Sequence, residues 1–238
     1  MPLQLFCFPH AGGGPTTYRH WHRALNPHVS VRPVHLPGRG GRAGFTDVES
    51  LVAALDCELG EQLTAPHVFF GHSMGALVAY RLACRRRATG RPLPRALLLS
   101  GYAAPHLPAP LPPVDDLDDA TLIAMLRAAG GVPAGGVPAG LPDLPEFPAH
   151  HLPALRDDLR LCTGYRDAAD PPLSCPAHVF GGDADPLVGE RELRAWDRHT
   201  ARLSGVHLLA GDHFYLDHAP EQLFRVLRPL LRRYAAAR

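Results

Sequence analysis

A chain of 238 residues, 46% hydrophobic and 20% charged, can bury a sizeable core as one large α/β domain or two small ones. Its net charge of +1 gives no electrostatic case for nucleic acid or a membrane surface as the main partner. No apolar run approaches the ~20 residues of a membrane span, and the N-terminus lacks the basic region, long apolar stretch and cleavage site of a secretory leader.

Short apolar runs alternate with helical patterns, as in a mostly parallel sheet covered by helices on both faces. Residues 3–8 and 31–35 read as the first two strands, and residues 47–63 carry the three- and four-residue apolar spacing of an amphipathic helix. A strand at 67–70, a helix at 76–87 and a strand at 96–100 come next. Residues 178–180 and 206–209 are the last two strands, separated by a short helix at 190–196. A final helix spans 220–234, with Pro229 expected to kink it.

The alternation breaks from Ala103 to about Pro153, where proline is dense and GVPAG occurs twice in tandem over residues 131–140. Helices are expected at 116–129, behind a cluster of aspartates, and at 155–165. The two strands, their loops and the final helix beyond this region cannot make an independent core, so the chain must return to the same sheet. The expectation is one domain over residues 1–238, with residues 103–165 inserted as a mobile helical lid.

Phe69-Phe70-Gly71-His72-Ser73-Met74-Gly75-Ala76 places G-x-S-x-G directly after a strand and before a helix. That is the context of the nucleophile elbow of an α/β-hydrolase fold. The turn is sharp, so the flanking glycines avoid clashes with neighbouring backbone. A serine hydroxyl needs a base, and the base an orienting acid, in the chain order serine, acid, histidine. His213, in Gly211-Asp212-His213-Phe214, comes after the last strand and is the expected base; His218 is its nearest rival. Asp183 and Asp185 both come after the preceding strand. The register from Gly182 favours Asp185 as the acid, with Asp183 holding the loop through backbone hydrogen bonds.

An oxyanion formed on the substrate needs two backbone donors. Met74, after the nucleophile, is one, and Ala11 in the loop Phe8-Pro9-His10-Ala11-Gly12-Gly13-Gly14 is the other. That loop lacks the G-x-G-x-x-G spacing of a dinucleotide site. Arg39 and Arg42, in Leu36-Pro37-Gly38-Arg39-Gly40-Gly41-Arg42, either meet an anionic group at the mouth of the site or are solvated loop arginines. In the lid, Leu122, Leu126 and Leu159 are expected to line an acyl chamber above Ser73; the alternative is that they only fasten the lid.

Five cysteines, Cys7, Cys57, Cys84, Cys162 and Cys175, are an odd number with no C-x-x-C pair, which predicts buried free thiols in a reducing compartment. His20/His22 and His150/His151 lack the partner residues of a metal site, so neither metal nor cofactor is expected.

Taken together, CFPHAGGG, LPGRGGR, GHSMGA, GGDADPLV and GDHFYL resemble the type II thioesterase family, in family order over nearly the whole chain. The resemblance implies Ser73, Asp185 and His213 as the triad and Ala11 and Met74 as oxyanion donors. It further implies a thioester substrate: acyl groups stalled on the phosphopantetheine of acyl or peptidyl carrier proteins in polyketide or nonribosomal peptide synthases. The first strand begins at residue three, with no carrier domain before it, which predicts the free-standing type, a cytoplasmic monomer. The residues alone stop at an acyl ester or thioester. A general carboxylesterase, an acyltransferase and a catalytically silent partner-binding protein are the rival readings.

Overall fold

The computed structural model describes residues 2–25, 29–37, 44–130 and 152–236. Six strands, β1 (Leu3–Phe8), β2 (Val29–Pro33), β3 (His67–His72), β4 (Leu97–Ser100), β5 (Ala177–Gly182) and β6 (Leu203–Leu209), form one sheet in the order β2-β1-β3-β4-β5-β6. Every neighbouring pair is parallel, so all six strands deliver their C-terminal loops to one edge. The register of β1 with β2 runs from Leu3 opposite Val29, which places β2 two residues before its expected start.

Alternate side chains of the four central strands feed two cores. Phe6, Phe8, Phe69, Leu97, Leu99 and Val179 face α2 (Val48–Leu59) and α3 (Met74–Ala88). Leu5, Cys7, Val68, Phe70, Leu98 and Phe180 face the other way, onto α1 (Trp21–Leu25) and the C-terminal α8 (Pro220–Ala236). This period of two, with both phases apolar, is what a strand buried on both faces requires. The last helix runs on through Pro229.

Between β4 and β5 lie α4 (Asp119–Ala128) and α5 (Leu152–Gly164). Asp118 caps α4 by accepting the Thr121 N–H at 2.7 Å, so that helix starts later in the aspartate cluster than the sequence suggested. The stripe Leu152, Leu155 and Leu159 on α5 packs with Val114 and Leu122 into a small third core. Ion pairs Arg156–Asp119 and Arg160–Asp115 tie α5 to the α4 side. The GVPAG repeat lies outside the described residues, as do His150 and His151.

The short helices α6 (Glu190–Arg194) and α7 (Tyr215–His218) complete the fold. The sequence pattern marks neither α1 nor α7, each of about one turn, because so short a stretch shows no periodicity. All five cysteines are free; Cys57 is exposed on α2 and Cys162 half-buried, against the expectation of burial. Among the described residues, no helix is long and apolar enough to cross a membrane.

Beneath α3, the buried Arg86 guanidinium donates to Asp56 at 2.8 Å, to the Pro92 carbonyl at 2.8 Å and to the Leu63 carbonyl at 3.1 Å. Asp56→Ala would leave that charge without its counter-ion. The expected cost is about 3 kcal/mol of unfolding free energy, read from the urea midpoint at unchanged slope.

Candidate active site

Strand β3 is buried along its whole length and ends at His72, so the next residue emerges at the C-terminal edge of the sheet. Ser73 adopts φ 54° and ψ −124°, a left-handed conformation that an L-residue holds only when its surroundings enforce it. Two hydrogen bonds and two close backbone approaches do so. The Ser73 N–H donates to the Ser100 carbonyl at 2.7 Å, and the Ser73 carbonyl accepts the Ala76 N–H at 2.8 Å. A Cβ on Gly71 would overlap the Gly75 carbonyl, and one on Gly75 would overlap the Phe8 carbonyl. Both glycines are therefore steric requirements of a turn pressed against β1.

The loop after β6 carries His213, which is buried. Its Nδ1 lies 2.8 Å from Asp185 Oδ2. The Asp185 side chain is 0% exposed, and its Oδ1 accepts the N–H groups of Leu187 and Val188 at 2.8 and 3.2 Å. Three donors converge on one carboxylate, so the imidazole carries its proton on Nδ1 and keeps the Nε2 lone pair. Asp183 does different work. It accepts the Gly211 N–H at 2.9 Å and donates its own N–H to the Leu209 carbonyl at 2.8 Å, stitching the acid loop to the base loop. His218 turns away, with Nε2 3.4 Å from the Gly130 carbonyl.

Met74 supplies the first N–H of α3, with no carbonyl one turn earlier to receive it. Ala11 lies in the loop after β1, packed against both the main core and the α4–α5 core. Two of the three N–H groups of residues 11–13 are engaged: Gly13 donates to the His10 carbonyl at 3.0 Å and Gly12 to Asp158 at 2.7 Å. The insertion reaches the site at a second place. Gly130, just beyond α4 at φ +84°, sits so close to Asp212 that a Cβ there would collide with its carboxylate.

Leu122 and Leu159 are buried in the core between α4 and α5, with Leu126 half-buried against it. Arg39 and Arg42 lie outside the described residues. His20 and His22 are engaged by Arg19, at 2.8 Å from its Nε and 2.7 Å from its carbonyl. Among the described residues, no group of three or more His, Cys, Asp or Glu is placed to hold a metal ion.

Three residues near the site carried no signal in the sequence. The fully buried His72 shares a hydrogen bond with Ser100 Oγ at 2.8 Å, and Ser100 Oγ shares one with Tyr215 OH at 2.7 Å. The chain joins the residue before Ser73 to the residue two after His213. Burial first, then the neighbouring His213 and His10, hold the His72 pKa well below the usual imidazole value, so His72 stays neutral. Its ring centroid lies 5.0 Å from that of His213. Gly101, at φ +59°, lies against both rings, and a Cβ there would stand 2.8 Å from His72 Cε1 and 3.2 Å from His213 Cε1.

Parallel strands that deliver a strained serine and a buried histidine–aspartate pair to one edge place the chain in the α/β-hydrolase class. Within that class, the thioesterase domain family matches residues 3–231. Linear gramicidin dehydrogenase LgrE of Brevibacillus parabrevis is 36% identical over 233 residues, covering 97% of this chain and 88% of the relative. Its name is that of a redox enzyme, but the loop after β1 here lacks dinucleotide spacing. Among solved structures, the RedJ thioesterase from the prodiginine pathway of Streptomyces coelicolor is 39% identical with a TM-score of 0.83, covering 97% of this chain and 85% of that one. The type II thioesterase BorB, from the borrelidin biosynthetic cluster, is 34% identical with a TM-score of 0.79, covering 98% and 92%. The chain belongs to the thioesterase family and is a hydrolase of thioester bonds.

The hydroxyl bridge through Ser100 makes a direct expectation. Tyr215→Phe removes one buried bond at a cost of about 1 kcal/mol and loosens the His213 loop relative to Ser73. Turnover should fall several-fold at unchanged KM, with only a small drop in melting temperature. An unchanged kcat would show that the bridge serves the fold alone.

Proposed function

We propose that this chain is a type II, editing thioesterase, which hydrolyses stalled or aberrant acyl groups from the phosphopantetheine arm of acyl or peptidyl carrier proteins. The observation that carries the reading is the His213–Asp185 contact at a fully buried carboxylate, on the same sheet edge as Ser73. Support for the carrier-bound substrate comes from relatives named for nonribosomal peptide and polyketide products, gramicidin, prodiginine and borrelidin among them.

In this reading Ser73 Oγ attacks the thioester carbonyl while His213 Nε2 takes its proton. The carbonyl oxygen becomes an oxyanion held by the N–H groups of Met74 and Ala11. The C–S bond then breaks, and His213 returns its proton to the sulfur, releasing the carrier thiol and leaving the acyl group on Ser73. Water, deprotonated by His213, attacks the acyl-enzyme, and collapse releases the free acid and restores the serine. Asp185 holds the tautomer and stabilises the imidazolium at both stages. Residues 1–238 act as one domain working as a cytoplasmic monomer without a cofactor, with residues 103–165 as the lid.

Intact-mass analysis of acyl-loaded carrier proteins incubated with the enzyme tests this. The wild type should return the carrier to its free thiol, and Ser73→Ala should slow that by at least about a thousandfold. Equal or faster turnover of simple oxygen esters would point to a general esterase instead.

The two aspartates separate cleanly. Asp185→Asn should lose orders of magnitude in kcat with the fold intact, because the tautomer is then wrong. Asp183→Asn keeps an oxygen that can accept the Gly211 N–H and should cost far less. The opposite ranking would reassign the acid.

A further inference from the structure

Asp158 is placed where a carboxylate is costly. It is 8% exposed, on the face of α5 that also carries Leu155 and Leu159. Burying a charge among leucines is unfavourable unless strong hydrogen bonds compensate it. A leucine there would fasten α5 as well or better. The neighbouring Asp157 shows the ordinary alternative, pointing outward with its side chain 52% exposed and paired to Arg160.

One contact of Asp158 ties that placement to the site. Its Oδ2 accepts the Gly12 N–H at 2.7 Å, a contact between residues 146 positions apart. Gly12 stands at φ +73°, and a Cβ there would lie 3.2 Å from Leu155 Cδ1, so α5 rests directly on this loop. The peptide joining Ala11 to Gly12 is thus held at both ends. Its carbonyl faces His10 Nδ1 at 2.9 Å, and its N–H faces Asp158. With that peptide plane fixed, the remaining freedom of Ala11 is its own backbone rotation, which the two cores it packs between restrict. The direction of the Ala11 N–H is therefore set from α5.

We infer that Asp158 is a positioning residue for the oxyanion loop: by clamping the Ala11–Gly12 peptide it aims the Ala11 N–H, and it makes that aim conditional on α5 being seated. The inference rests on the reading of Ser73 as nucleophile and Ala11 as oxyanion donor. The lid then does more than cover the site. When α5 lifts to admit a substrate arm, the loop loses its clamp, and the oxyanion site is complete only once the helix has closed again. Turnover is thereby confined to the state in which α5 is seated.

The test compares Asp158→Ala, Asp158→Asn and Asp157→Ala with the wild type. The substrate is a small soluble acyl thioester, and a fluorophosphonate probe of Ser73 is measured in parallel. Asparagine keeps an oxygen that can accept the Gly12 N–H, whereas alanine does not. Asp158→Ala should lower kcat by about tenfold or more at a KM within about twofold of wild type, the scale of a misaimed oxyanion donor. Its Ser73 labelling should slow in proportion, Asp158→Asn should recover most of both rates, and Asp157→Ala should behave as wild type. Full kcat in Asp158→Ala overturns the inference. So does a loss confined to KM, or an equal loss in Asp158→Asn, either of which leaves Asp158 as a lid fastening. A wild type that neither cleaves the thioester nor takes the probe would instead sink the hydrolase reading beneath it.

Discussion

The backbone at Ser73 is the constraint on which the rest of the site depends. A serine at φ 54° is held only because β3 cannot turn into α3 any other way without driving the helix through β1. Gly75 rests on the Phe8 carbonyl, so the chain leaving β1 begins its loop beside the serine. The approach that demands glycine at positions 71 and 75 thus also brings the start of the loop that carries Ala11 against the turn at Ser73. On the other side, the Ser73 N–H bond to the Ser100 carbonyl fastens the turn to β4. The Ser100 hydroxyl then extends that anchor through Tyr215 to the loop of the base. Strand order, β1 and β4 flanking β3, is what makes one strained residue the meeting point of three loops.

Burial holds His72 neutral beside His213. Elsewhere burial also lowers His67, His178 and His199 to about 4. Much of the chain's histidine content is accordingly neutral hydrogen-bonding material: His199 spans Tyr80 and His106, and His178 meets Tyr234. A second protonated ring beside His213 would oppose the positive charge that the proposed acyl transfer puts on it. Keeping His72 neutral removes that opposition, and its bond to Ser100 turns the same ring into structure.

Legibility in the sequence divides along the range of the interactions involved. Strands buried on both faces declared themselves as apolar runs, because their requirement is local and repeats every second residue. The elbow and the loop after β6 were readable for a related reason: a sharp turn demands glycine at fixed offsets from the functional residue. His72, Ser100 and Tyr215 were not readable, since a histidine, a serine and a tyrosine far apart in sequence become one chain only after the strands align. The leucines of α4 and α5 were visible as a helical stripe, but a stripe does not say what it faces. In the structure Leu122, Leu155 and Leu159 largely face one another.

Two pairs of aspartates show the same limit at the scale of single residues. Asp183 and Asp185 share a loop, and the register from Gly182 separated them because that loop is short and its turn geometry local. In the fold, Asp185 meets the base and Asp183 ties two loops together. Asp157 and Asp158 are adjacent on a helix, where a rotation of about 100° per residue sends neighbours to different faces. Helical phase does put Asp158 on the side of Leu155, yet by itself that reads as a misplaced charge. It becomes meaningful only when the Gly12 N–H is found opposite, contributed by a loop at the other end of the chain. A polar residue that breaks an apolar stripe is thus informative through its partner. One such partner here, the Gly12 N–H, is a backbone group, which leaves no residue type for the sequence to display.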